Sequence, residues 1–324
     1  MNSRTFQTRD SSETGAPIGL LLRDLIDYAG LFPPTALPMA ASVANYDAYL
    51  RSEWNWILGR FVVPVARLGE FEAALAGLPV PPSNASSATW RLSVLPGLDS
   101  LTEVFRIREF VARIGEFNDR FADSSSTRTR AAVIDAVEVR AANAGEVNRW
   151  SEIIPAKLAI YFEVALTNCA ECIAGIGACG RRAKIRTGGE TADKVPSSRS
   201  VTEFIRLCAA AHVPFKATAG LHHPLRSVHR FTYQPDSDSG IMHGFLNVFL
   251  AAAFLRAGMA DDLAAQLLEE SSADAFHFDL AGVTWRRHWL SWDEVAAARH
   301  DFALSFGSCS FTEPIDDLRA LHLL

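Results

Sequence analysis

No stretch of this chain is apolar over the roughly 18 positions that a membrane-spanning helix requires. The best candidate, residues 244–255, is shorter and reads as a buried helix. Residues 1–17 are polar and lack the apolar core of a signal peptide. Cysteine is scarce and odd in number: Cys169, Cys172, Cys179, Cys208 and Cys309. Five cysteines in so long a chain do not make a disulfide framework, and a reducing cytoplasm is the expected location. No basic block offsets the net charge of −6, which argues against a nucleic-acid or anionic-membrane binder. His-x-His and His-Glu-x-x-His spacings are missing, and no motif asks for a cofactor.

Apolar residues are in good supply at 49%, with 21% charged, enough for a sizeable core in one large domain or two ordinary ones. Residues 1–17, rich in Ser, Thr and Gly, read as a disordered arm. Residues 18–57 read as N-terminal helices capping the rest, and 58–324 as the main domain. The first helix, 18–28, carries an apolar stripe from Leu20 to Ile26 and stops at Ala29-Gly30. A second covers 39–54. The loop between them, 27–34, mixes aromatic and stiff residues and reads either as a cap over one end or as a site wall.

From residue 59 a rhythm sets in. Short apolar strands at 59–65, 90–97, 133–140 and 158–164 alternate with helices at 68–78, 101–121, 144–154 and 169–178, and 124–128 reads as a loop. Two further stretches, 183–189 and 215–223, each read as a strand that ends at glycine, and they flank a helix at 201–211. Six strand–helix units of this kind predict a parallel α/β fold. Charges punctuate successive strands on one inward face, at Glu138, Glu163, Lys184, Arg186 and Lys216, which favours a (β/α)8 (TIM)-like barrel over an open sheet. Beyond His223 the expected order is a loop at 226–241, helices at 242–257 and 260–270, a strand at 275–283 and a helix at 292–302. Ser291 and Glu294 form the capping box of that last helix. A terminal helix follows at 315–321. Seven strands result, and the eighth falls either at 307–311 or in the opening region.

Residues i and i+2 of a strand share a face, so Lys184 and Arg186 point together, as do Lys216 and Thr218. Buried lysine and arginine need partners. Three inward cations on neighbouring strands therefore predict a site for a small anionic carbonyl compound. A strand-end lysine whose pKa is lowered by burial and a neighbouring cation can attack a carbonyl and form a Schiff base. Lys216 and Lys184 are the candidate amines, with Glu163 and Glu138 as acid/base groups or ion partners and Arg186 as the anion's ligand. A structural ion-pair network is the alternative.

These strands resemble the two lysine strands of deoxyribose-phosphate aldolases, class I aldolases with a (β/α)8 barrel. Ile185-Arg186-Thr187-Gly188-Gly189 and Phe215-Lys216-Ala217-Thr218-Ala219-Gly220 occupy those places at similar spacing. Residues 134–139 look like the family's acidic strand, Phe162-Glu163 like its next, and Phe306-Gly307-Ser308-Cys309-Ser310 like its phosphate-binding turn. The resemblance implies a lyase. It also puts Arg186, which cannot form a Schiff base, at the reactive position, so that Lys184 or Lys216 must take the role.

His222 and His223 lie just past a strand end, where they read as acid/base or substrate-binding groups. With His243, His277, Asp279 and Glu163 they offer an alternative, a metal-dependent hydrolase or isomerase. A barrel that binds an anion without catalysis is a third possibility. Cys169 and Cys172 read as buried structural thiols. Cys309 reads as part of a phosphate turn, or as a nucleophile using His222 or His223. Gly188, Gly189 and Ser308 are candidate anion contacts through backbone N–H groups. Trp285, Trp289 and Trp292, with Arg286, Arg287 and His288, read as an amphipathic edge or a homo-oligomer contact.

Overall fold

In a computed structural model, which describes residues 18–79, 88–97, 104–122 and 130–324, eight parallel strands close into a barrel. In chain order the first half runs α1 (Gly19–Leu22), β1 (Ile26–Tyr28), α2 (Met39–Leu50), β2 (Leu58–Pro64), α3 (Leu68–Ala76), β3 (Trp90–Leu95), α4 (Val104–Ala122), β4 (Ala132–Ala141) and α5 (Ala144–Ile153). It continues with β5 (Ala159–Val164), α6 (Cys169–Ala178), β6 (Arg182–Arg186), α7 (Ser198–Ala210) and β7 (Phe215–Thr218). A long excursion follows: a hairpin, β8 (Ser227–Arg230) with β9 (Ser239–Met242), then α8 (Phe245–Arg256) and α9 (Asp261–Leu268). A three-stranded antiparallel sheet comes next, β10 (Phe276–Phe278), β11 (Gly282–Trp285) and β12 (His288–Ser291), then α10 (Trp292–Asp301). Strand β13 (Ala303–Ser308) closes the barrel between β7 and β1, and α11 (Thr312–Ala320) follows it.

The expected TIM-like (β/α)8 barrel is present, with three local differences. The stretch 18–28, expected as one helix, is helical only at Gly19–Leu22; Asp24 takes a φ of +51°, and Ile26–Tyr28 becomes the first barrel strand. Its three residues are all buried, so no alternation distinguishes strand from helix. The strand expected at 275–283 lies in the antiparallel sheet outside the barrel, and the missing strands come from β1 and β13. The loop expected at 226–241 contains a hairpin that pairs exposed Val228 with exposed Ile241, so no apolar face marks it. The expected arm at 1–17 and loop at 124–128 lie outside the described residues.

The apolar core sits between barrel and helices. In α7, Val201, Phe204, Ile205 and Cys208 recur at helical spacing and are buried, with Phe204 edge-on to Phe215 at 5.5 Å. Each such aromatic contributes roughly 1.5–3 kcal/mol by leaving water. Ser197 caps this helix by accepting from the Ser200 N–H. Phe245 of α8 stacks on Phe306 of β13 at 5.2 Å, which anchors the excursion to the barrel wall.

The barrel interior is polar, and a bulge helps make it so. Strand β4 shifts register against β3 between Leu92 and Ser93, whose partners are Ile134 and Ala136. The extra residue flips the phase of alternation. Asp135 and Glu138, of opposite parity, thus both reach the interior face of β3, at Arg91 and Ser93.

Candidate active site

Four residues form one row across the strands: Arg140, Glu163, Lys184 and Lys216 are successive partners on β4, β5, β6 and β7. Glu138, one pleat below Arg140, reaches both lysines, at 2.7 Å from Lys216 Nζ and 2.8 Å from Lys184 Nζ. Lys216 also donates to Asp27 at 2.6 Å, and Lys184 lies 2.9 Å from Glu163. Ser93 donates to Glu138 and Ser305 to Asp27. Lys216 and Asp27 are each 1% exposed, Glu138 3% and Lys184 5%. Charges so deep survive only if paired and hydrogen-bonded, and here each ammonium has two carboxylates.

Asp27 comes from the region expected to be helical and is the site residue that sequence reasoning missed. Ile26 and Tyr28 pack outward and send Asp27 inward, where Oδ1 accepts from the Arg60 N–H at 2.7 Å. Gly59 makes the room, since a Cβ there would sit 2.3 Å from that oxygen. A second signal is compositional. Of the 31 basic residues only four are lysines, Lys157, Lys184, Lys194 and Lys216, and two of these four meet in the barrel. Arginine would carry charge there as well, but only lysine has a nucleophilic amine.

Burial by itself would depress the Lys216 ammonium, but Asp27 and Glu138 outweigh it and hold its pKa above the ordinary lysine value. Burial pushes the Glu138 carboxyl up, but Lys184 and Lys216 more than reverse this and hold it far below the ordinary range. Glu163 is likewise lowered: burial is outweighed by Lys184, Arg186 and Arg140. Its Oε1 lies 3.4 Å from Arg140 and 3.5 Å from Arg186, both at the rim and largely exposed. Both shifts favour the charged forms, a carboxylate at Glu138 and an ammonium at Lys216.

Above this floor a cavity of about 680 Å³ opens at the carboxyl ends of the strands. Glu138, Glu163, Lys184, Lys216, Arg186, Gly189, His222 and Cys309 all line it, so most of the expected site residues converge. The loop after β1 contributes Phe32, Pro33 and Pro34, and is a site wall rather than a remote cap. From the excursion come Phe231 and Met242. Gly188 does not line the cavity but packs on Gly220, where a Cβ would sit 2.8 Å from the Gly220 Cα. Ser308 is buried, its Oγ accepting from the Ser310 N–H.

The histidines separate. Nδ1 of His222 lies 3.2 Å from Glu313 of α11. His223 bonds Asp317 at 2.6 Å and stacks on His229 at 3.3 Å, away from the ion network. His243 bonds the Pro196 carbonyl, and Asp279 accepts from the Ala281 and Gly282 N–H groups. Among the described residues no three or more His, Cys, Asp or Glu side chains are grouped to hold a metal ion. Cys169 and Cys172 are buried on α6, and burial pushes both thiols up. It pushes the Cys309 thiol up as well, which disfavours the thiolate a nucleophile needs. Trp285 and Trp292 are buried beneath the antiparallel sheet, and Trp289 is exposed.

No helix among the described residues is long and apolar enough to cross a membrane. No protein-family model and no curated protein matches the chain, so the aldolase resemblance rests on strand motifs within a TIM-type barrel.

Proposed function

We propose that the chain is a lyase of the aldolase type, acting on a small carbonyl compound that carries an anionic group, with Lys184 as the amine. The observation that carries this is the row of Glu163, Lys184 and Lys216 beneath a cavity at the carboxyl end of the barrel. Lys216, locked between Asp27 and Glu138, supplies a fixed positive charge beside Lys184. It is not itself a nucleophile, because its proton is held too tightly.

Arg140 and Arg186 are the ligands for the substrate's anion. Their contacts with Glu163 are long, which leaves their guanidinium forks free for a carboxylate or phosphate. An anion bound there competes with Glu163 for both cations and raises that carboxylate's proton affinity. Glu163 then takes a proton from Lys184, 2.9 Å away. The neutral amine adds to the carbonyl carbon, and Glu163 returns its proton to the departing oxygen, so that water leaves and a cationic iminium remains. That iminium accepts the electron pair released when the neighbouring carbon–carbon bond breaks.

Borohydride trapping with pyruvate, acetaldehyde and dihydroxyacetone phosphate tests this, read by peptide mass spectrometry. With four lysines in the chain the assignment is clean. A reduced adduct is expected on Lys184 and lost in Lys184→Met. No adduct with any of the three, or one that persists in Lys184→Met, rules the lyase out. Thermal stabilisation by pyruvate or dihydroxyacetone phosphate without an adduct would instead identify a binding barrel.

A further inference from the structure

We propose that His222, oriented by Glu313 and Tyr233, is the acid and base that moves the proton on the carbon beside the substrate carbonyl. This rests on the Schiff-base chemistry assigned to Lys184. Cleavage leaves an enamine on that lysine, and its carbon must gain a proton before the iminium can be hydrolysed. The ion-network floor is poorly suited to supplying it. Glu138 is held as a carboxylate and Lys216 as an ammonium, and Glu163 is engaged with the lysine nitrogen. His222 lines the same cavity, and an imidazole ring can both give and take a proton through its two nitrogens.

The geometry around His222 is that of an oriented base. It follows the tight turn at Ala219 and Gly220, with φ values of +62° and +76°, and lines the same cavity as Lys184. Its Nδ1 is buried 3.2 Å from Oε2 of Glu313, off-axis for a full hydrogen bond and with no other bonding partner among the described residues. The opposite ring edge, with Nε2, is the one left for substrate. Glu313 stands in the first turn of α11, where Ser310 accepts from its N–H. Its Oε2 also accepts from the Tyr233 hydroxyl at 3.0 Å. Burial pushes the Glu313 carboxyl up, but His222 and Tyr233 outweigh it and keep it ionised. The Glu313 carboxylate beside Nδ1 favours the tautomer with its proton on Nδ1, which leaves Nε2 as the acceptor.

In the step itself, the C–H bond beside the iminium carbon breaks and its proton goes to Nε2. Its electron pair becomes the enamine double bond and neutralises the iminium nitrogen. The reverse delivers the proton after cleavage. No oxidant or reductant is needed.

Exchange of carbon-bound protons in D2O, followed by proton NMR on the full chain with the same three probes, isolates this step from cleavage. In His222→Ala the exchange should fall about 10²–10⁴-fold, with the borohydride adduct still forming on Lys184 and added imidazole restoring part of the rate. Glu313 and Tyr233 are positioning residues. Glu313→Gln should lower the maximal exchange rate more than it raises the half-saturating probe concentration, and Glu313→Asp should recover part of the loss. Unchanged exchange in His222→Ala alongside a normal adduct would overturn this role and leave the lyase intact. Exchange restored by His222→Gln, whose amide can pack and hydrogen-bond but cannot carry the carbon's proton, would mark a purely structural histidine and overturn it as well. Absence of the adduct in the unaltered protein overturns the Schiff-base premise instead.

Discussion

On the strand side of the cavity, Lys184, Lys216, Asp27, Glu138 and Glu163 are joined by contacts of 2.6 to 2.9 Å, and all but Glu163 are buried. On the side built by the excursion after β7, His222 meets Glu313 at 3.2 Å, and Tyr233, more than half exposed, reaches the same carboxylate. The floor stands on eight strands whose backbone is committed to the barrel. The wall stands on a two-stranded hairpin that borrows order from α11. The ion pairs of the floor are shorter and more deeply buried than the contacts of the wall. A buried pair is costly to break, whereas a part-exposed one contributes little.

That contrast breaks first at Lys216. Lys216→Met leaves Asp27 and Glu138 buried with too few partners, and should cost about 3–5 kcal/mol in chemical unfolding. A cost near that of an exposed pair would show that water already reaches the floor.

The pH dependence of stability is the next test. Glu138 and Glu163 have folded pKa values below the ordinary 4.5. Unfolding therefore releases carboxylates that bind protons more readily, and stability rises with pH up to that region. The contribution is fully present above pH 4.5 and is lost as pH falls through the depressed folded values. Lys216 has the opposite sign, its folded pKa raised above 10.5. Its contribution is complete below that pH and disappears only as pH rises through the folded value. Unfolding midpoints measured from acid to alkali should show a plateau between these limits. A midpoint that declines steadily from neutral pH downward would mean that the carboxylates are not held as described.

The smallest effect belongs to the wall. A Cβ at Gly240 would sit 2.4 Å from the tip of the Phe231 ring, which lines the cavity. Gly240→Ala should displace that ring at a cost of only about 1 kcal/mol, while proteolysis within 227–242 speeds up. A cost matching that of Lys216→Met would mean the two sides are equally rigid.

Much of this was legible in the chain. The strand spacing from 59 to 218 announced a parallel barrel, and charges at alternate positions marked the interior face. Glu138, Glu163, Lys184, Arg186 and Lys216 all line the cavity. Asp27 escaped because a three-residue strand buried on both sides has no period to read. The hairpin escaped because its cross-strand apolar pair faces solvent. Glu313 gave no signal, being one carboxylate in the first turn of an ordinary helix far along the chain.

What the amino-acid order determined alone was local: which segments alternate, which face carries charge, and that lysine stands at 184 and 216. Periodicity acts over a few residues, and so can be read without knowing what the segment touches. Which charges pair, and in which state they are held, was decided only by closure of the barrel. Closure brings Asp27 within 2.6 Å of Lys216, a residue 189 positions away. It also sets Lys216 between two buried carboxylates, Asp27 and Glu138. Desolvation and Coulomb interaction depend on distance in space, and no spacing along a chain encodes that distance.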